Sequence, residues 1–132
     1  MNEHWSHRYI GIPYLPGGRG WNGVDCWGLL RLFYQHEKGI LLPDYPIAAL
    51  QTRDVVRLIE SHIQEWKRLE FPEDGCAVAM GMKDSLHHVG IWTDADGGRV
   101  IHCWKPAGVI AQPLEGLRLW GFRRVEFYGL HH

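Results

Sequence analysis

The sequence contains no long hydrophobic run. No stretch of this 132-residue chain stays apolar for the roughly 20 residues that a membrane-spanning helix needs. The opening segment, Met1 to Arg8, is polar and lacks the apolar region of a signal peptide. We therefore expect no membrane insertion, and a protein that is made in the cytoplasm without a signal peptide.

The chain also lacks an excess of charge of either sign. Its 14 Lys and Arg residues are balanced by 15 Asp and Glu residues, which gives a formal net charge of -1. Such a chain has no basic surface for phosphate groups, so we expect no nucleic-acid partner. Hydrophobic residues make up 45% of the chain, enough for a packed core. The length predicts one domain, residues 1–132.

Cysteine is scarce, with only Cys26, Cys76 and Cys103. An odd number of widely spaced cysteines does not form a disulfide framework, so the sequence predicts reduced thiols. By contrast, nine His and seven Trp are many for this length. Histidine supplies acid–base capacity, and tryptophan supplies flat surfaces that suit both cores and binding grooves.

The first half of the chain has the pattern of a loop followed by two helices. Glycine and proline punctuate residues 9–23, which indicates a loop. Apolar residues at helical spacing then predict a helix from Cys26 to Lys38, with Asp25 as its N-cap and Gly39 as its terminating residue. A second apolar stripe predicts a helix over Thr52 to Leu69.

The second half has the pattern of short strands separated by turns. The predicted strands are Cys76 to Met80, His88 to Thr93, Val100 to Trp104, Val109 to Gln112 and Leu119 to Tyr128. The segment from Asp94 to Gly98 is the hairpin loop between the second and third of these strands. Helices that precede strands favour an α+β fold with an antiparallel sheet.

Cys26 has the sequence surroundings of a nucleophile. It stands in the first turn of a predicted helix, where unpaired backbone N–H groups and the helix dipole favour a thiolate. The same N–H groups can stabilise an oxyanion, and Gly23 and Gly28 are expected to leave the backbone accessible to a substrate. The alternative from the residues alone is an inert buried thiol.

Two histidines of the predicted sheet are candidates for the base and its partner. His88 opens one strand and His102 lies on the next, so antiparallel pairing can bring both imidazoles onto one face. One would take the thiol proton, and the other would orient it. Because strand side chains alternate, His87 would point away from the face that His88 uses.

A metal site is the other chemistry that these residues could support. Cys26, His88, His102 and Cys103 include the residue types that bind zinc. However, His102 and Cys103 are strand neighbours that point to opposite faces, and no Cys-x-x-Cys or His-x-x-x-His spacing exists. The glycine-rich loop, Gly17-Gly18-Arg19-Gly20, lacks the Lys and Ser or Thr with which a phosphate-binding loop ends. We expect neither a metal nor a cofactor.

Four segments together resemble the NlpC/P60 family of cysteine peptidases. They are Pro13–Gly18 with Gly23–Leu29, Pro72–Val78, His88–Trp92 and Val100–His102, and they occur in the order of the family over roughly residues 9–125. The resemblance implies a papain-like α+β fold in which the nucleophile helix packs on an antiparallel sheet. It also implies that Cys26 is the nucleophile, His88 the base and His102 the orienting residue.

The resemblance also implies supporting residues near the nucleophile. Tyr14 matches a family tyrosine that lies beside the cysteine, and Asp25 matches an acidic residue associated with substrate binding. Trp27 departs from the family, which usually has a small residue at that position. A tryptophan there would reshape the substrate groove.

The implied activity is hydrolysis of peptide bonds in the stem peptides of bacterial peptidoglycan, next to a γ-D-glutamyl residue. The glycine-rich loop followed by Asp25-Cys26-Trp27-Gly28 is similar to phage tail-associated members. We therefore expect a protein that a phage tail carries to the cell wall, with tail proteins as partners. Two alternatives stay open: a structural component of the tail, and a thiol amidase or acyltransferase with a substrate outside the wall.

Overall fold

The structure is a computed structural model that describes residues 4–44, 66–82 and 85–130. Its helices are a 3-10 helix at Trp5–Arg8, α1 at Cys26–Phe33 with a π-helical extension at Tyr34–Lys38, a 3-10 turn at Ala95–Gly97, and α2 at Leu114–Leu119. Its strands are β1 Arg19–Gly20, β2 Gly23–Val24, β3 Trp66–Leu69, β4 Ala77–Met82, β5 Ser85–Thr93, β6 Arg99–Trp104, β7 Gly108–Gln112 and β8 Arg124–Leu130. No helix in the described ranges has the length and hydrophobicity to span a membrane.

Six strands form one sheet in the order β3-β8-β4-β5-β6-β7, and every neighbouring pair is antiparallel. The strand β4 lies in the interior of this sheet. Its residues Ala77 to Met80 are all buried, because both faces of the strand are covered. A continuous apolar run is the sequence pattern of a strand buried on both faces, which explains why this strand could be predicted without alternation.

The first core lies between one face of the sheet and α1. We use this name for the cluster formed by Leu29, Leu30, Leu32 and Phe33 of α1 with Ala77, Ala79, Val89, Ile91, Ile101 and Cys103 of the sheet, together with the buried residues around them. The helix forms because its apolar side chains recur on the side that faces the sheet. Burial of this face therefore fixes how α1 lies on the sheet, and with it the position of Cys26 at the start of the helix.

The second core covers the opposite face of the sheet. It consists of Val78 and Met80 from β4, Val100 from β6, Leu117 from α2, and Phe122. Trp92 and Trp104 pack against it. Because side chains alternate along a strand, the same strands supply both cores.

Most of the predicted elements are confirmed, and so is the α+β fold class. The helix begins at Cys26 behind Asp25, and Gly39 ends it in the left-handed conformation with φ of 68°. The strands predicted at residues 76–80, 88–93, 100–104 and 109–112 correspond to β4, β5, β6 and β7. Within the predicted loop of residues 9–23, the chain forms the short strand β1 and the first residue of β2.

The predicted helix from Thr52 to Leu69 is wrong at its C-terminal end. Trp66–Leu69 is the strand β3, which pairs with β8 along its whole length. The secondary structure of a short segment depends on the strand that pairs with it. Here the edge of β8 supplies backbone hydrogen bonds that outweigh a weak helical propensity. Residues 52–65 lie outside the described residues.

The predicted strand from Leu119 to Tyr128 is also wrong in its first half. Leu119 ends the helix α2, which begins after Pro113, and the strand β8 starts only at Arg124. Between them the chain turns at Gly121, whose φ is 97°. A proline at the entry and a left-handed glycine after the exit are the usual ends of a helix, and both were present in the sequence.

Trp27 anchors α1 to the segment that follows it, and its loss should destabilise the protein. The Trp27 side chain is fully buried, and its indole N–H donates to the Pro43 carbonyl at 2.7 Å. We expect Trp27→Ala to lower the free energy of unfolding by about 3–5 kcal/mol, because it leaves a cavity and an orphaned carbonyl. Urea denaturation followed by circular dichroism measures this. Trp21→Ala is the matched control because Trp21 is exposed, and equal losses in both variants would contradict the assignment.

Candidate active site

The site is organised around the first turn of α1, where Asp25 caps the helix and Cys26 is its first residue. The Asp25 carboxylate accepts the Gly28 backbone N–H at 2.7 Å, as an N-cap does. Its second oxygen accepts the backbone N–H of Gly17 at 3.2 Å. One side chain therefore ties the glycine-rich loop to the start of α1.

Arg19 completes this junction. Its guanidinium donates to Asp25 at 2.7 Å and to Asp44 at 2.6 Å. Asp25 is 3% exposed, so its negative charge is compensated inside the protein rather than by water. The structure thus commits the Asp25 carboxylate to contacts within the chain.

Gly28 has a different role from the one expected. A Cβ at this position would collide with the backbone carbonyl of Gly18 and lie 3.1 Å from Asp25 Oδ1. The expected accessibility of this backbone to a substrate is therefore wrong. Gly28 allows the glycine-rich loop to pack directly on the helix, which closes this side of the site.

Backbone pairing holds Tyr14 next to the segment that leads into Cys26. It forms a bridge with Val24, and the neighbouring Leu15 N–H donates to the Val24 carbonyl at 3.0 Å. Val24 is two residues before Cys26 in the chain. Burial raises the pKa of the Tyr14 phenol, and the nearby charges of Asp25, Cys103 and Cys26 raise it further. Tyr14 is therefore a neutral hydroxyl beside the thiol.

The pKa of the Cys26 thiol lies above its usual value. Burial, followed by the negative charge of Asp25, raises the pKa of this thiol to about 11. Hydrogen bonds from the backbone of Val89 and Trp27 and the charge of Arg19 act in the opposite direction but do not overcome these effects. The sequence predicted a helix terminus that favours a thiolate, and the structure instead shows that desolvation dominates.

The two candidate imidazoles are in direct contact. His88 Nε2 lies 3.0 Å from His102 Nδ1, and both side chains are buried. The paired register sets Gly90 opposite His102, and a Cβ on Gly90 would lie 3.0 Å from the His102 Cβ. The missing side chain at Gly90 leaves the room in which the two rings meet.

A bulge separates His88 from His87. The pairing of β4 with β5 matches Met80 with His88 and then Gly81 with Leu86, so that His87 is the extra residue. His87 is exposed, whereas His88 is buried. A bulge redirects the side chains next to it. The centroid of the exposed His87 ring lies 6.2 Å from that of Phe122, which also stacks on His88, so the prediction that His87 points away from the face of His88 is wrong.

Aromatic side chains surround the imidazole pair. His88 stacks on Phe122 with an interplanar angle of 11°, and Trp104 and Trp120 approach His102 edge-on. Burial, together with the closeness of His102 and His87, lowers the pKa of His88 well below its usual value. Burial also lowers the pKa of His102, although the hydrogen bond that His102 donates to Gln112 acts in the opposite direction. Both rings are therefore neutral near pH 7.

The thiol and the imidazole pair lie on different sides of the strand β5. Cys26 packs against the first core, and the imidazoles contact Trp104 and Phe122 on the side of the second core. The sulfur lies at the backbone N–H of Val89, which is bonded directly to the carbonyl carbon of His88. Among the described residues, no hydrogen bond joins this thiol to either imidazole. Catalytic contacts often tighten only when a substrate is bound.

Trp27 lies inside the protein rather than at its surface. It is the second residue of α1, and its side chain is fully buried in the first core. Its contribution to the shape of a groove stays a prediction. The contact that the structure shows is structural support of the helix that carries Cys26.

Three residues near the site were missed by sequence reasoning. Gln112 Oε1 lies 2.6 Å from His102 Nε2, Trp120 forms part of the aromatic surroundings of His102, and Arg19 holds Asp25. The Asp25 contact had a signal, because an arginine near an acidic N-cap can pair with it. The other two had none, since neither the fold around α2 nor the register of β7 follows from the residues themselves.

The residues considered for zinc do not converge. Cys103 belongs to the first core and its thiol donates to the Val24 carbonyl at 3.2 Å, whereas His102 faces the aromatic residues on the other side. No group of three His, Cys, Asp or Glu residues in the described ranges has the geometry to hold a metal ion.

Alkylation of Cys26 should depend steeply on pH. Since burial raises the pKa of the thiol to about 11, we expect its reaction with iodoacetamide to accelerate about tenfold per unit between roughly pH 7 and pH 9. Mass spectrometry of the Cys26 peptide measures the rate, with the buried Cys76 as an internal comparison. A rate that is independent of pH in this range would indicate a preformed thiolate and contradict the prediction.

Comparison with known proteins agrees with this geometry. The model of the NlpC/P60 family matches residues 11–121. The crystal structure of the NlpC/p60 domain of the peptidoglycan hydrolase SagA superposes with a TM-score of 0.61 at 21% identity, over 92% of this chain and 91% of that one. A Staphylococcus aureus Mu50 protein described as similar to lipoprotein, of the NLP/P60 family, superposes with a TM-score of 0.60 at 19% identity.

The second structure belongs to a longer protein, since the match covers 96% of this chain and 39% of that one. No curated protein sequence matches the chain. At these identities the two structures establish the shared fold, and the family match establishes the relationship. The chain belongs to the NlpC/P60 family.

Proposed function

We propose that this protein is a cysteine peptidase that hydrolyses peptide bonds in the stem peptides of bacterial peptidoglycan. Membership of the NlpC/P60 family supports the general class, a cysteine hydrolase. The observation that carries the proposal is the buried, hydrogen-bonded pair of His88 and His102 next to Val89, whose backbone N–H donates to the Cys26 sulfur.

The proposed reaction is a covalent hydrolysis. His88 has Nε2 engaged with His102, so Nδ1 is the nitrogen that takes the thiol proton. The sulfur attacks the amide carbonyl, and His88 then gives the proton to the leaving amine as the C–N bond breaks. Water attacks the thioester, loses a proton to His88, and releases the acid while the proton returns to sulfur. Because the resting thiol and imidazole are both neutral, deprotonation accompanies attack.

The remaining site residues support this reaction. Backbone N–H groups at the start of α1 stabilise the oxyanion, and Tyr14 contributes a neutral hydroxyl beside the sulfur. Asp25 acts by fixing the first turn of the helix, since its oxygens already accept from Gly17, Gly28 and Arg19. Trp27 supports the same turn from below.

Within this class we propose that the bond cleaved is a γ-D-glutamyl linkage. Two facts support a cell-wall substrate: the resemblance of the segments around Cys26, His88 and His102 to the family, and the description of SagA as a peptidoglycan hydrolase. Mass spectrometry of the released peptides identifies the linkage. Products that start elsewhere than after D-glutamate would leave the peptidase assignment intact and remove this specificity.

Digestion of purified peptidoglycan tests the proposed function. We expect the native protein to release stem-peptide fragments, and Cys26→Ala to lower the rate by at least about a thousandfold, because the covalent route is lost. Cys76→Ala is the matched control, since Cys76 is another buried thiol away from the imidazoles. The rate of appearance of new amino groups is the measurement.

Each other outcome decides between the alternatives. Release by Cys26→Ala at the native rate would contradict the mechanism. No release by the native protein would contradict the cell-wall substrate, and it would leave two possibilities. Labelling of Cys26 by a thiol-reactive acyl donor would then indicate an amidase or acyltransferase, and its absence a structural component.

We also propose that residues 1–132 form one domain and that the protein acts as part of a phage tail, without a cofactor. The support is the similarity of the loop before Cys26, and of Asp25-Cys26-Trp27-Gly28, to tail-associated members of the family. In this setting the protein is made in the cytoplasm, and the virion delivers it to the wall. Its partners are then tail proteins and peptidoglycan.

Purified phage particles test whether the protein is a component of a phage tail. If the protein is a tail component, mass spectrometry of particles induced from the source strain should detect it in the virion fraction after density-gradient purification. Its peptides should disappear from particles in which the tail is missing. Detection only in the soluble cell fraction would contradict the proposal.

A further inference from the structure

A glutamine lies next to the imidazole pair and contacts one of its rings. Gln112 is the last residue of β7, paired with Val100, and it reaches diagonally to the buried His102. Its Oε1 lies 2.6 Å from His102 Nε2. His102 Nδ1 in turn lies 3.0 Å from His88 Nε2. The three side chains form a continuous hydrogen-bonded row.

The direction of the row follows from the chemistry of the first partner. An amide oxygen only accepts hydrogen bonds, so His102 Nε2 must carry a proton and donate it. In a neutral ring, His102 Nδ1 then holds a lone pair, so His88 Nε2 is the donor of the second bond. A neutral His88 with its proton on Nε2 has a lone pair on Nδ1.

This result matters because a neutral imidazole has two tautomers. With Nε2 of His88 engaged by His102, only one of them leaves a free lone pair, on Nδ1. With the proton on Nδ1, His88 could not accept the Cys26 proton. Burial keeps both rings neutral, so that charge does not make the choice. Phe122, Trp104 and Trp120 surround the rings and offer no strong acceptor to compete with Gln112.

We propose that Gln112 is a positioning residue that fixes the tautomers of His102 and His88, so that His88 presents the lone pair of Nδ1 to Cys26. The inference rests on the proposed function for its catalytic consequence. The tautomers themselves are independent of any activity.

Two substitutions distinguish the role of Gln112 as a hydrogen-bond acceptor from a role in packing alone. Gln112→Met keeps the length of the side chain but removes the amide oxygen. Gln112→Glu keeps an oxygen that only accepts, and is measured at about pH 8.5, roughly two units above the ordinary histidine pKa, where neutral rings prevail. Gln35→Met is the matched control on an exposed glutamine of the π-helical extension.

The first readout is the ¹⁵N NMR spectrum of histidine-labelled protein, in which protonated and unprotonated ring nitrogens are well separated. In the native protein and in Gln112→Glu we expect Nε2–H on both His88 and His102. In Gln112→Met we expect a mixture of tautomers on both rings. A native His88 with its proton on Nδ1, or unchanged tautomers in Gln112→Met, would overturn the proposal.

The second readout is the rate of peptidoglycan digestion, with urea denaturation to show that the variants are folded. We expect Gln112→Met to lower kcat about tenfold to a hundredfold, as loss of an outer partner of a functional imidazole does, with KM unchanged. Gln112→Glu should recover most of the rate. Equal losses in both variants would assign Gln112 a packing role only. If the native protein digests nothing, the peptidase assignment fails while the tautomer measurement still decides the role of Gln112.

Discussion

The carboxylate of Asp25 holds together the parts of the chain on which the site depends. It accepts hydrogen bonds from Gly28 in the first turn of α1, from Gly17 in the preceding loop, and from Arg19. A buried carboxylate is stable only when its lone pairs are satisfied and its charge is compensated. These contacts meet both conditions, and they fix where Cys26 begins the helix. The same negative charge raises the pKa of the Cys26 thiol. The carboxylate that stabilises this turn therefore also makes a base necessary for the proposed reaction.

In the proposed reaction His88 is this base, and the pair of His88 and His102 lies on the other side of β5 from Cys26. Burial against Phe122 and the nearby tryptophans keeps His88 and His102 neutral, and Gly90 leaves the room for them to meet. In the proposed reaction, a neutral thiol and a neutral imidazole require that proton transfer and attack occur together. The direction of the hydrogen bonds in the row ending at Gln112 then becomes important, because a neutral ring can be either a donor or an acceptor at a given nitrogen.

Much of the fold was accessible from local patterns. The apolar run at β4, the helical spacing after Asp25 and the glycine at residue 39 each predicted an element that the structure contains. The errors occurred where a distant partner decides. Trp66–Leu69 is a strand because β8 pairs with it, and Leu119 ends a helix that packs Leu117 into the second core. Propensity is a weak guide in short segments, and hydrogen bonds across the sheet outweigh it.

The sequence by itself determined the candidates for the chemistry and the family: a cysteine behind an N-cap, two histidines on neighbouring strands, and the order of the motifs that relate the chain to its family. These features are local, so spacing and residue type define them. Only the tertiary structure decided that burial raises the pKa of the Cys26 thiol, that Arg19 forms an ion pair with Asp25, and that Gln112 forms a hydrogen bond with His102. Desolvation and hydrogen bonding depend on which surfaces meet, and residues far apart in the chain meet only after folding.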